Sequence, residues 1–213
     1  MFVRAILKAT GRLGLTLWLL IAPQQIVIAD EIRLLVLGDS LSAGYGLPPG
    51  DGFTDKLEAA LRIEGQAVKV LNGGVSGDTT AGGLARLEWM LSDKPDAVLV
   101  ELGANDGLRG LDPTETHSNL NAILNTIRER DIPVLLAGMF APPNMGSEYG
   151  ADFNDLYPLL AGQHDVVFYP FFLEGVAGDL SLNQEDALHP NVAGVDEIIR
   201  RILPSVIKLL ERM

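Results

Sequence analysis

The 213-residue chain contains no cysteine. That excludes disulfides, a thiolate nucleophile and any cysteine-based metal site. Basic residues are also few: 16 Lys and Arg stand against 28 Asp and Glu, a net charge of −12. The first 29 residues hold three of those bases, Arg4, Lys8 and Arg12, and no acid, so the remainder carries 13 against 28, or −15. A domain this acidic repels a phosphate backbone, which argues against a nucleic-acid partner, and its attraction to an anionic membrane is weak. Long apolar runs are missing too. The nearest is Leu13–Ala22, LGLTLWLLIA, short of the ~20 residues that cross a bilayer. No internal repeat, low-complexity tract or linker divides the chain.

A basic start, an apolar middle and small residues near Ala29 form the layout of a secretory signal peptide. Cleavage near Ala29 is expected, with an uncleaved anchor as the alternative. It leaves residues 30–213 as one domain, exported to the periplasm or beyond and without stable membrane insertion.

Apolar residues make up 47% of the chain, enough for a core. Short apolar runs alternate with longer amphipathic ones. Ile32–Leu37, Ala67–Leu71, Ala97–Leu102, Ile132–Ala137 and Val166–Tyr169 read as strands buried on both faces. Between them, Phe53–Glu64, Thr80–Leu91, Pro113–Arg130 and Ala151–Gly162 read as helices, and Val192–Leu210 closes the chain with apolar residues at helical spacing. This alternation predicts an α/β fold, a parallel sheet with helices on both faces. Ligands of such sheets bind beyond the carboxyl ends of the strands, so the residues after each strand are the ones that matter.

Ser40 follows the first strand, in LLVLGDSLSAGYG. Alone, it reads first as a helix cap and only second as a nucleophile. A nucleophile needs a base, and near neutral pH that base is histidine. The chain has three. His117 lies on a helix away from any strand end. His164 precedes the last strand, at the wrong end of the sheet. His189 alone follows the last strand. Asp186 lies three residues before it and can orient its ring, or else cap the final helix; Glu185 is the second choice. Gly77, after the second strand, and Asn105, after the third, can donate N–H groups to an oxyanion, or serve as ordinary turn residues.

Together, Gly38-Asp39-Ser40-Leu41-Ser42, Gly77, Gly103-x-Asn105-Asp106 and Asp186-x-x-His189-Pro190 resemble the four blocks of the SGNH hydrolase (GDSL esterase/lipase) superfamily. GDSLSAGYG, SGDTTAGGLARL and VLVELGANDGLRG are similar to its bacterial periplasmic thioesterase I / lysophospholipase L1 / arylesterase subgroup. The resemblance implies a flavodoxin-like three-layer α/β/α sandwich with strand order 2-1-3-4-5. It implies a serine esterase acting on carboxylic esters and thioesters through an acyl-serine, with no cofactor and no metal. Ser40, Asp186 and His189 would be catalytic, with Ser40, Gly77 and Asn105 holding the oxyanion. Substrate would lie against Asp39, Asp106, Gly107 and Leu108, and against Phe140, Ala141 and Pro142 in the loop after the fourth strand, with Asp106 chiefly ordering its own loop. Residues 105–111 would form a loop that closes on substrate, and the chain would act as a monomer. The subgroup often has a second glycine where Ala104 stands. Rival readings are a carbohydrate O-deacetylase of the same superfamily and a non-catalytic exported binding domain.

Overall fold

The computed structural model describes residues 31–213; the expected signal peptide lies outside the described residues. Five strands, β1 (Ile32–Gly38), β2 (Val68–Gly74), β3 (Ala97–Glu101), β4 (Val134–Ala137) and β5 (Val167–Tyr169), form one sheet in the order β2-β1-β3-β4-β5. Every pairing is parallel. The apolar runs explain this: β1, β3 and β4 are almost wholly buried, so both faces must be covered.

Among the described residues, that cover comes from the helices α1 (Ser40–Ala43), α2 (Phe53–Ile63), α3 (Thr80–Leu91), α4 (Ala104–Leu108), α5 (Pro113–Arg128), α6 (Ser147–His164) and α7 (Val192–Leu210). Helix α2 packs against α7, while α3, α5 and α6 form a second row. Residues Val195, Ile198, Ile202, Val206 and Leu209 bury one stripe of α7, the helical periodicity read from the sequence. No helix among the described residues is long and apolar enough to cross a membrane.

Strand boundaries differ from the sequence reading in instructive ways. Strand β4 starts at Val134 because Pro133 has no N–H to give the ladder; its carbonyl instead accepts from Val98 N at 3.0 Å. Strand β2 runs on through Gly74, matched against Gly38. Helix α6 begins at Ser147, four residues before the expected start. The two short helices α1 and α4 had no periodic signature to read, since each is about one turn long.

The register aligns the strand ends. Gly74, Gly38, Glu101, Ala137 and Tyr169 form one row across the sheet. The residues immediately after that row therefore emerge together at the carboxyl edge. Strands β1 and β3 are neighbours there, while the chain leaves β1 for β2. This is the topological switch point at which open α/β sheets form their sites.

Candidate active site

Ser40 opens α1, but it does not cap it. The cap is Asp39, whose Oδ1 accepts from Leu41 N at 3.0 Å. The Ser40 hydroxyl is thus released from that duty. It lies 2.8 Å from His189 Nε2, across 149 positions of sequence.

His189 is oriented from its other side. Its Nδ1 stands 2.6 Å from Asp186 Oδ2, and Asp186 Oδ1 accepts from His189 N at 3.0 Å and Leu188 N at 2.9 Å. These backbone donors, with the histidine side chain, hold the Asp186 carboxyl down at about 2, so it is ionised wherever a histidine can work as a base. The tight turn between the two passes through Ala187 at φ +58. The final helix is capped by Asn191, which accepts from Gly194 N at 3.0 Å; Asp186 has no part in that cap. Glu185 is exposed and makes no hydrogen bond to His189 among the described contacts.

The histidine loop is tied to the turn after α1. Gln184 Nε2 donates to Tyr45 O at 2.8 Å and to Pro190 O at 3.0 Å, and Gln184 N donates to His189 O at 2.8 Å. The Tyr45 ring lies 4.6 Å from the His189 ring, tilted by 40°. Tyr45, Gly46, Gln184, Glu185 and Asp186 line an open groove beside the histidine.

Gly77 and Asn105 stand at the same edge. Gly77 is exposed, at φ +83, and its carbonyl accepts from Arg109 Nη2 at 2.7 Å. Asn105 lies in α4, and its Nδ2 donates to Asp39 Oδ2 at 2.9 Å. Arg86, from α3, donates to Asp78 Oδ2 at 2.6 Å, Gly73 O at 2.7 Å and Gly38 O at 2.8 Å. It knits the ends of β1 and β2 to the Gly77 turn.

Three residues expected against substrate lie inside the fold instead. Asp39 is 0% exposed, with both carboxylate oxygens bonded internally; burial raises its carboxyl to about 6. Asp106 is buried, accepting from Thr80 N at 2.9 Å and Thr80 Oγ1 at 2.5 Å, so it fastens α4 to α3. Gly107 is buried against Pro142 and Phe153. Neither carboxylate has a free face for a ligand. Leu108 and Phe140, by contrast, are 50% and 51% exposed, and Ala141 and Pro142 are half-buried. Phe140 stacks on Phe171, with ring centroids 4.4 Å apart. His164 is buried at the end of α6, with Nε2 2.8 Å from Asn121 Oδ1.

Sequence reasoning passed over Arg86, Arg109, Gln184 and Glu101. The arginines and Gln184 act chiefly through backbone carbonyls, for which no residue pattern exists, although Arg86 also pairs with the Asp78 carboxylate. Glu101 did leave a signal: an acid inside the apolar run AVLVEL.

Residues 36–196 match the GDSL-like Lipase/Acylhydrolase family. An esterase TesA from Pseudomonas aeruginosa is 42% identical over 178 residues, which cover 83% of this chain and 89% of that protein. An arylesterase from Vibrio mimicus is 44% identical over 179 residues, covering 84% and 90% respectively. Among solved structures, a TesA aligns with a TM-score of 0.80 at 41% identity, over 83% of this chain and 99% of its own. AlinE4, an SGNH-hydrolase family esterase, aligns with a TM-score of 0.73 at 47% identity, over 86% and 98%. With a five-stranded parallel sheet, a serine at its switch point and a match across most of its length, the chain belongs to the GDSL-like lipase/acylhydrolase family.

Proposed function

We propose that the protein is a serine esterase that hydrolyses carboxylic esters and thioesters, with acyl-CoA thioesterase, arylesterase and lysophospholipase-type activity. The observation that carries this reading is the continuous contact from Ser40 Oγ to His189 Nε2 at 2.8 Å and from His189 Nδ1 to Asp186 Oδ2 at 2.6 Å. The names of its relatives, an esterase, an arylesterase and a thioesterase 1/protease 1/lysophospholipase L1 from Escherichia coli, support the same chemistry.

Ser40 Oγ attacks the acyl carbonyl while His189 Nε2 takes the hydroxyl proton. Asp186 holds the ring with Nδ1–H toward the carboxylate and stabilises the imidazolium. The Ser40 and Gly77 N–H groups and the Asn105 amide receive the oxyanion. As the tetrahedral intermediate collapses, His189 returns the proton to the departing alcohol or thiol, which leaves through the groove beside Tyr45. Water then attacks the acyl-serine, again deprotonated by His189, and the carboxylic acid is released. The exposed side chains of Leu108 and Phe140 border the acyl chain, with Ala141 and Pro142 behind them. Residues 105–111 close over it. The enzyme acts as a monomer, exported by a signal peptide cleaved near Ala29.

The test is a chain-length series of p-nitrophenyl esters, an acyl-CoA and a lysophospholipid, run on the wild type and Ser40→Ala. The wild type should turn over esters and thioesters, and a fluorophosphonate probe should label Ser40. Folded Ser40→Ala with wild-type turnover would refute the nucleophile.

A further inference from the structure

Glu101 is fully buried at the end of the central strand β3, beside Gly38 of β1. Its neighbours along the strand are Ala97, Val98, Leu99 and Val100. A carboxyl group in such a place is costly unless hydrogen bonds offset the lost water. Oε2 has two partners: Ser42 Oγ donates to it at 2.6 Å and Asp39 N at 3.3 Å. Oε1 is buried and has no hydrogen-bond partner among the described residues. An aliphatic residue would leave no such orphan, so packing alone does not account for this acid.

The two donors flank Ser40. Asp39 precedes it and Ser42 follows two residues later, so both sides of the nucleophile turn hang from one oxygen. Asp39 extends the chain of contacts, because its Oδ2 accepts from Asn105 Nδ2 at 2.9 Å. A polar line thus runs from buried Ser42, Glu101 and Asp39 to half-buried Asn105. The space is shaped for it: a Cβ at Gly38 would stand 2.3 Å from Ser42 Oγ and 2.5 Å from Glu101 Oε2. No other residue type fits at the end of β1 without displacing that contact.

We propose that Glu101 is a positioning residue for ester hydrolysis: through Oε2 it holds the Asp39 N–H and the Ser42 hydroxyl on either side of Ser40 and, by way of Asp39, the direction of the Asn105 amide. This rests on the roles proposed above for Ser40 and Asn105. Burial, reinforced by the charge of Asp39, pushes the Glu101 carboxyl well above its ordinary range, which favours the neutral acid. Glutamine, also neutral and with a carbonyl oxygen to accept both bonds, is therefore its closest substitute.

The test compares Ser42→Ala, Glu101→Leu and Glu101→Gln with the wild type on a short p-nitrophenyl ester. Misplacing a reacting group by about 1 Å can cost ~10²-fold. Ser42→Ala and Glu101→Leu should lower kcat by about 10- to 100-fold with KM within about twofold, while Glu101→Gln stays within about threefold. In proton–nitrogen correlation spectra, the Asn105 side-chain amide pair should shift in Ser42→Ala and Glu101→Leu and remain near its wild-type position in Glu101→Gln. Unchanged kcat in folded Ser42→Ala, a loss confined to KM, or an unmoved Asn105 amide would each overturn the proposal. Ser42→Ala decides the matter if Glu101→Leu does not fold. Ser40→Ala runs alongside: turnover in that variant would defeat the underlying reading, whereas an inactive Ser40→Ala with a fully active Ser42→Ala defeats only the role given to Glu101.

Discussion

Asn105 Nδ2 donates to Asp39 Oδ2 at 2.9 Å. The Asn105 amide therefore commits one of its two N–H groups to a buried carboxylate, which fixes where the other, proposed above as an oxyanion donor, points.

That carboxylate imprints a pH dependence on stability. Burial raises Asp39 from 3.8 to about 6, against the lowering effects of Leu41 N–H and Asn105. The folded state then binds more protons than the unfolded state between about pH 4 and pH 6, so the Asp39 contribution falls as pH rises through that window. A shift of about 2 units corresponds to about 3 kcal/mol. The urea midpoint of the wild type, measured relative to Asp39→Asn, should decline between about pH 4 and pH 6.5 and level off above. A constant difference would show that Asp39 titrates normally. Asp186, held down at about 2, acts with the opposite sign at lower pH: its contribution is complete above about pH 4 and is lost as pH falls through about 2.

Asn105→Ala removes the side-chain donor and leaves the Asp39 carboxylate with only Leu41 N–H. Loss of one oxyanion donor costs about 10²–10³ in kcat. Single-turnover rates of acylation should fall by that factor; a rate within about twofold of wild type would place Asn105 outside the oxyanion hole.

Asp186→Asn keeps the size of the side chain and removes its charge. The Leu188 and His189 N–H groups can still find the amide oxygen, but the amide nitrogen then faces His189 Nδ1 and favours the wrong tautomer. A fall of about 10²–10⁴ in kcat is expected with little change in melting temperature. Glu185→Gln, which alters no contact to His189, should remain within about twofold in the same steady-state assay.

Gly103→Ala tests the turn that delivers Asn105. Gly103 sits at φ +113, and a Cβ there would stand 2.0 Å from the Tyr157 hydroxyl, which donates to Leu102 O at 3.0 Å. Strain and clash together should cost at least about 2 kcal/mol. Removing the hydroxyl with Tyr157→Phe should recover part of that loss in the double variant, a non-additivity readable from denaturant midpoints.

Phe140→Ala opens the stacked pair with Phe171 at the expected acyl-binding edge. The ratio of kcat/KM for long over short p-nitrophenyl esters should rise by several-fold, of the order that a few methylenes contribute. An unchanged ratio would place the acyl chain elsewhere.

The apolar runs of β1 and β3 and the stripe along α7 are legible in the order of residues alone, because burial imposes a period on residue types. The same order places Ser40, Gly77, Asn105 and the Asp186-x-x-His189 segment after strands, whose ends in a parallel sheet emerge at one edge. Tertiary structure decided the rest. It gave the cap of α1 to Asp39 rather than Ser40, and turned Asp39, Asp106 and Gly107 inward. It joined Arg86, Arg109 and Gln184 to backbone carbonyls. Residue order determines which chemistry a chain can carry, because it fixes types and periodicity. Which oxygen a given hydrogen bond reaches depends on distances between segments far apart in sequence, and those exist only once the sheet has set its register.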